Sequence, residues 1–124
     1  MREFILRALK GKTSEFDVTK LPLEGRMDLV CRCISSALFI SNDLRRDTII
    51  HDVLDGPSDP PKTVSFFRDS LKGMEFDEKN IAEHINEALK KGKNLKLNEE
   101  KDLGNGIKIS KKSFEVLVKE KFNE

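Results

Sequence analysis

Apolar positions along this chain change their period several times, and each change marks an element. Phe4, Ile5 and Leu6 form a short continuous apolar run that predicts a buried first strand, Arg2 to Ala8. Leu9 to Gly25 is polar and carries Gly11, Ser14, Pro22 and Gly25, the composition of a long loop. Loops of that length inside a compact domain tend to be functional or mobile. From Arg26 to Ile40 the apolar residues Met27, Leu29, Val30, Cys31, Cys33, Ile34, Ala37, Leu38, Phe39 and Ile40 run nearly all round a helix, which predicts that it is largely covered. Its polar stripe is Asp28, Arg32 and Ser35 or Ser36, with Asp28 and Arg32 at the spacing of an i, i+4 ion pair.

Ser41-Asn42-Asp43 supplies a turn, and Asp47 to Leu54 reads as a second strand through Thr48-Ile49-Ile50 and Val53-Leu54. A loop rich in Gly and Pro, Asp55 to Pro61, leads to a third strand, Lys62 to Phe67, and Ser70 to Lys72 is a candidate short fourth. Asp77 offers an N-cap for a helix from Glu78 to about Lys91 with Ile81, Ile85, Ala88 and Leu89 as its core stripe. Gly92 to Gly106 reads as a linker with at most one short element, Ile107 and Ile109 mark a last strand, and an amphipathic helix on Phe114, Leu117, Val118 and Phe122 closes the chain. These elements predict one α/β domain over residues 1–124. Its sheet is expected to be mostly parallel, with strands near 2–8, 47–54 and 62–67 flanked by helices near 26–40, 78–91 and 111–122.

A length of 124 residues supports one core, and 37% hydrophobic against 36% charged residues is on the polar side for such a domain. A net charge of +1 predicts no general affinity for nucleic acid, so the distribution of charge matters more than its sum. Six of the seven Arg lie between Arg2 and Arg46, whereas 13 of the 16 Lys begin at Lys62, which makes the first half the better place for bidentate recognition of phosphate or base edges. Eight Phe without Trp or Tyr argue against a platform that stacks single-stranded bases. Cys31 and Cys33, two apart on a helix, point to different sides and read as buried structural thiols. His51 and His84 have no ligand-spaced partner, read as scaffold, and imply no metal. With no signal peptide or run of membrane length, the chain reads as cytoplasmic.

Geometry separates the arginines. If the first two strands are parallel, the helix between them, on the order of 22 Å long, returns across the sheet by a right-handed crossover. Arg26 and Asp28 then lie at the carboxyl edge, beside Asp55 to Pro61, where open α/β sheets bind ligands. Arg45 and Arg46 fall at the opposite edge, as partners of Asp43 and Asp47 or as remote phosphate contacts. The proline loop suits the wall of a base-specific pocket and equally an ordinary strand connection. Asp28 suits either a functional carboxylate or a favourable charge at the positive end of its helix, paired with Arg32.

Taken together, Met1-Arg2-Glu3-Phe4-Ile5-Leu6, Gly25-Arg26-Met27-Asp28-Leu29, Asp43-Leu44-Arg45-Arg46-Asp47 and Asp59-Pro60-Pro61-Lys62-Thr63 resemble the start of the archaeal tRNA pseudouridine-N1 methyltransferases of the knotted SPOUT superfamily. The likeness continues more weakly through Asp77-Glu78-Lys79-Asn80-Ile81-Ala82 to Gly106-Ile107-Lys108-Ile109. The resemblance implies an N-terminal, substrate-side portion of the SPOUT fold without its knot. It implies tRNA as partner, position 54 of the T-loop as target, S-adenosyl-L-methionine as cofactor bound beyond Glu124, and a homodimer for the complete fold. Carried over residue by residue, it makes Asp28 the candidate catalytic acceptor and Arg26, Arg32, Asp59, Pro60 and Pro61 candidate substrate contacts. Methyl transfer by this length alone is not expected. The alternatives are a knotless homologue that binds RNA or protein without catalysis, and a relative of the small-subunit rRNA pseudouridine-N1 methyltransferases.

Overall fold

The computed structural model describes residues 2–40, 48–75 and 77–122. The turn at 41–43 and the residues Asp43, Arg45, Arg46 and Asp47 lie outside them. Five strands, β1 (Arg2–Ala8), β2 (Thr48–Leu54), β3 (Lys62–Phe67), β4 (Glu100–Asp102) and β5 (Ile107–Ser110), form one sheet in the order β1-β2-β3-β5-β4. Three helices, α1 (Met27–Ile40), α2 (Glu78–Lys91) and α3 (Phe114–Phe122), flank it, so the α/β class is as expected.

Strand direction corrects the expectation in one respect. Only β1 and β2 run parallel; β2 with β3, β3 with β5 and β5 with β4 are antiparallel. The cause is the loop after β2, which is too short to hold a crossover helix and returns the chain beside the strand it has just left. The candidate strand at 70–72 is absent, because Arg68–Ser70 forms a 3-10 turn and the place beside β3 belongs to β5. β1 is not a buried strand: it lies at the open edge of the sheet with Phe4 exposed.

One face of the sheet holds the core. In register, Leu6, Asp52, Val64 and Ile109 form one row across it, and Ile50, Phe66 and Ile107 form the next. Helix α1 lays Met27, Cys31, Ile34 and Leu38 onto this surface, steps of three or four residues, and α2 adds Ile81 and Ile85 with Ala88 and Leu89, three and four residues beyond Ile85 on the same stripe. Helix α1 is nevertheless less covered than its composition predicts, since Leu29 and Cys33 are exposed beside β1. Cys33 is therefore not a buried thiol. Burial pushes the thiol of Cys31 up to about 12. Asp77 does cap α2, its carboxylate accepting from Asn80 N–H at 2.9 Å. On the opposite face, buried His51 bridges Ser65 and Glu3 through its two ring nitrogens, each at 2.7 Å, and shares a small cavity with Leu117 and Lys121 of α3.

Asp52 interrupts the apolar row. It is fully buried between Leu6 and Val64, and neither carboxylate oxygen has a hydrogen-bond partner, so burial raises its pKa well above the ordinary value. A raised folded-state pKa means that the stability this group contributes is fully present below its unfolded pKa, near 4, and is lost as pH rises through the folded value. Asp52→Asn removes the ionisation and keeps the shape. Its urea midpoint is expected to exceed that of the wild type at pH 7 and to approach it near pH 4; a deficit at pH 7 that disappears at pH 4 would show an ion-paired carboxylate instead.

Candidate functional site

The site forms where β1 and β2 end together, Ala8 opposite Leu54. Beyond Ala8 the chain does not swing out as a loose loop but runs as a strap back along the sheet edge. Gly11 N–H donates to Ala8 C=O at 3.1 Å, Asp55 N–H to the same carbonyl at 3.0 Å, and Gly56 N–H to Gly11 C=O at 2.8 Å. Thr13 then clasps the proline loop three times: its N–H donates to Pro57 C=O at 3.1 Å, its hydroxyl donates to Gly56 C=O at 2.9 Å, and that hydroxyl accepts from Asp59 N–H at 2.7 Å. Further along, Phe16 and Leu21 enter the core and a 3-10 turn spans Leu21–Leu23, so residues 9–25 are an ordered segment.

Two glycines let this strap lie flat. A Cβ on Gly25 would stand 1.9 Å from the carbonyl oxygen of Lys10, and one on Gly56 would stand 2.5 and 2.6 Å from the carbonyl oxygens of Lys10 and Gly11. Gly25 also has φ +66°, and Arg26 follows at φ +58°, a conformation a side-chain-bearing residue adopts only at a cost. The carbonyl of Arg26 accepts from Leu29 N–H at 3.1 Å and so opens α1.

The abrupt turn aims Arg26 along the sheet edge. Its Nε and Nη2 donate to the two oxygens of Asp28 at 3.0 and 2.9 Å, a bidentate fork. Asp28 is 5% exposed and Arg26 55%, so a buried carboxylate holds an outward guanidinium. The hydrogen bonds from Arg26 keep the Asp28 carboxyl below its usual range. The i, i+4 pair of Asp28 with Arg32 is loose, at 3.9 Å; Arg32 is committed to Glu78 of α2 at 2.6 Å.

The proline loop is fixed by charge at both ends. Arg7 holds Asp55 at 2.8 Å while lying over the ring of Phe114. At the other end Asp59 accepts from Lys62 at 3.2 Å and from Lys111 at 2.8 Å, and Lys111 also donates to the carbonyls of Asp59 and Pro60. Lys62 is 1% exposed and reaches the Thr13 carbonyl at 3.4 Å. The structure thus brings Arg26, Asp28, Asp59, Pro60 and Pro61 to one edge, while Arg32 points to α2. Thr13, Lys62 and Lys111 were not legible as part of it, although the adjacency of Lys62 to Pro60-Pro61 is a signal in the sequence.

An arginine–carboxylate pair and a clasped loop thus stand at the carboxyl edge of the two parallel strands of this α/β fold, the edge at which open α/β sheets bind their ligands. Comparison with known proteins specifies the class. The model of the family described as "Putative SAM-dependent RNA methyltransferase" matches residues 1–124, and the chain belongs to that family. It is 45% identical over its whole length to the tRNA (pseudouridine(54)-N(1))-methyltransferase of Methanococcus aeolicus, covering 60% of that protein. It is 43% identical to the protein of that name from Methanocaldococcus jannaschii, covering 63%, and 35% identical over 95% of its length to that from Methanocella arvoryzae, covering 62%. The chain therefore spans 60 to 63% of the length of these curated relatives. No helix among the described residues is long and apolar enough to cross a membrane.

The clasp yields two predictions. Gly25→Ala combines strain at positive φ with a collision against Lys10 C=O, and a loss of at least about 2 kcal/mol in unfolding free energy is expected from urea denaturation. The Asp59 carboxyl lies below its ordinary pKa through Lys111 and Lys62. Its contribution is thus present above the unfolded value and lost as pH falls through the folded one. Asp59→Asn is expected to lower the urea midpoint at pH 7, with the difference closing in acid; a difference that persists in acid would contradict the ionic clasp.

Proposed function

We propose that this chain forms the substrate-binding portion of an S-adenosylmethionine-dependent enzyme that methylates N1 of pseudouridine in tRNA, at position 54 of the T-loop. In this reading the Arg26–Asp28 pair meets the reacting nucleotide. The observation that carries it is the exposed guanidinium of Arg26, held at the carboxyl edge by a buried carboxylate, in a member of this family. A guanidinium so placed suits a phosphate or a base edge. Pseudouridine has an N1–H that uridine lacks, and a carboxylate that stays ionised at neutral pH can accept a hydrogen bond from it. When RNA draws Arg26 onto a phosphate, one oxygen of Asp28 is released to take that hydrogen bond. Asp59, Pro60 and Pro61 form the pocket wall on this reading, and Arg32, tied to Glu78, serves as an outer contact.

Methyl transfer needs a site for S-adenosylmethionine, and the residues around this edge do not fit that group. Gly11, Gly25 and Gly56 are already filled by contacts within the chain, which leaves no open backbone cradle for adenosine or for the methionine moiety. The role of this chain is therefore to bind and orient RNA. We place the cofactor cleft in the part of the family's length that residues 1–124 do not span, and infer a cytoplasmic homodimer for the complete protein.

Binding is measured by fluorescence anisotropy with a T-arm hairpin carrying pseudouridine, beside an rRNA hairpin of equal length. Arg26→Ala is expected to weaken T-arm binding about tenfold or more, as for loss of a charge-assisted contact, and Asp28→Asn to weaken it less. Residues 1–124 alone are expected to transfer no labelled methyl group to the RNA. Equal affinity of wild type and Arg26→Ala, or preference for the rRNA hairpin, would overturn the assignment.

A further inference from the structure

On the far flank of the proline loop from Arg26, a cleft of about 390 Å³ opens between the strap and the end of α2. Thr13, Ser14, Ser58, Lys62, Leu89 and Lys93 line it, and Glu15 and Asp59 stand at its acidic side. With Lys111, which shares Asp59, three lysine ammoniums meet two carboxylates there, Asp59 and the exposed Glu15. The ammonium of Lys62 is buried, and its one carboxylate partner among the described residues, Asp59, is shared oxygen by oxygen with Lys111, so two cations rest on one anion. A buried ammonium needs full compensation, and half a carboxylate does not provide it. Asp55, the other acid of the loop, is occupied by Arg7. Lys93 makes no ion pair among the described residues and adds to the surplus on the open side. Ser58 donates its hydroxyl to Ser14 at 3.2 Å, which leaves the hydroxyl hydrogen of Ser14 to donate elsewhere. A small anion with several acceptor oxygens is the ligand chemistry that these donors suit.

We propose that this cleft binds a phosphodiester group of the RNA strand next to the target nucleotide, with Lys93, Ser14 and Lys62 as its site and Lys111 behind it on the shared Asp59. The inference rests on the RNA-binding reading above and extends it to a second contact point. The strap connects the two: Lys10 borders the groove beside Arg26, and Ser14 lines the cleft. Four residue steps separate them, at most about 14 Å of chain. One short stretch of unpaired RNA can therefore reach both flanks of the proline loop.

The test is T-arm hairpin binding across a salt series with wild type, Lys93→Gln, Glu15→Gln and, as a control on the outer face of α2, Lys79→Gln. Lys93→Gln is expected to weaken binding three- to tenfold and to reduce the slope of log affinity against log salt by about one, the signature of one lost phosphate contact. Glu15→Gln is expected to tighten binding and Lys79→Gln to leave it unchanged. Titration with inorganic phosphate, followed by the amide signals of Ser14 and Ser58, distinguishes a free anion from the RNA backbone. Phosphate is expected to move these signals and to be displaced by the hairpin. If Lys93→Gln matches wild type while Arg26→Ala is still impaired, the cleft assignment fails and the edge site stands. Phosphate binding that the hairpin does not displace would identify a small-anion site and overturn the RNA assignment. No hairpin binding by wild type would overturn both readings.

Discussion

The close packing of the strap against two glycines is the constraint on which the rest of the edge depends. Lys10 and Gly11 lie between Gly25 and Gly56 at distances that no side chain could share, so β1, the start of α1 and the proline loop meet there backbone against backbone. Backbone hydrogen bonds at Gly11, Thr13, Asp55 and Gly56 then hold this arrangement against water. Because Gly25 is fixed, Arg26 must turn through a left-handed conformation, and Asp28 meets it two residues later. The position of the Arg26–Asp28 pair is therefore a consequence of packing that lies behind it. A site aimed by backbone contacts on two strand ends is more rigid than one carried on a free loop.

Charge is used in three ways on one sheet. Arg26 over buried Asp28 is a pair with its cation outward, ready to exchange one anion for another. Lys62, Asp59 and Lys111 leave positive charge over, facing a cleft. Asp52 lies in the apolar row with no partner, where burial favours its neutral form. The first two lie at the carboxyl edge and the third in the core. Arg7, with Asp55 and Phe114, ties the same edge to the last helix.

Much of this was legible from the residues, because the strongest signals are local. The stripe on α2 and its Asp77 cap, the bounds of β3, and the parallel pairing of β1 with β2 follow from periodicity and from the helix between those strands. The direction of β3 was not legible as a mostly parallel sheet assumes, since the chain between β2 and β3 holds no crossover element and forces an antiparallel return. The exposure of Cys33 and Leu29 was missed for another reason: composition shows that a helix is apolar, but only the sheet order shows that β1 is an edge and leaves that side open. The lysine clamp on Asp59 joins residues 52 positions apart, a separation that no local pattern reports.

In the proposed function, RNA meets this chain at the carboxyl edge of β1 and β2. Amide chemical-shift mapping of the labelled chain on addition of a pseudouridine-containing T-arm hairpin tests it most directly. The account predicts shifts confined to Gly11 through Ser14, Gly25 through Leu29 and Gly56 through Asp59. Shifts concentrated instead around His51, Ser65 and Leu117, on the opposite face of the sheet, would contradict it.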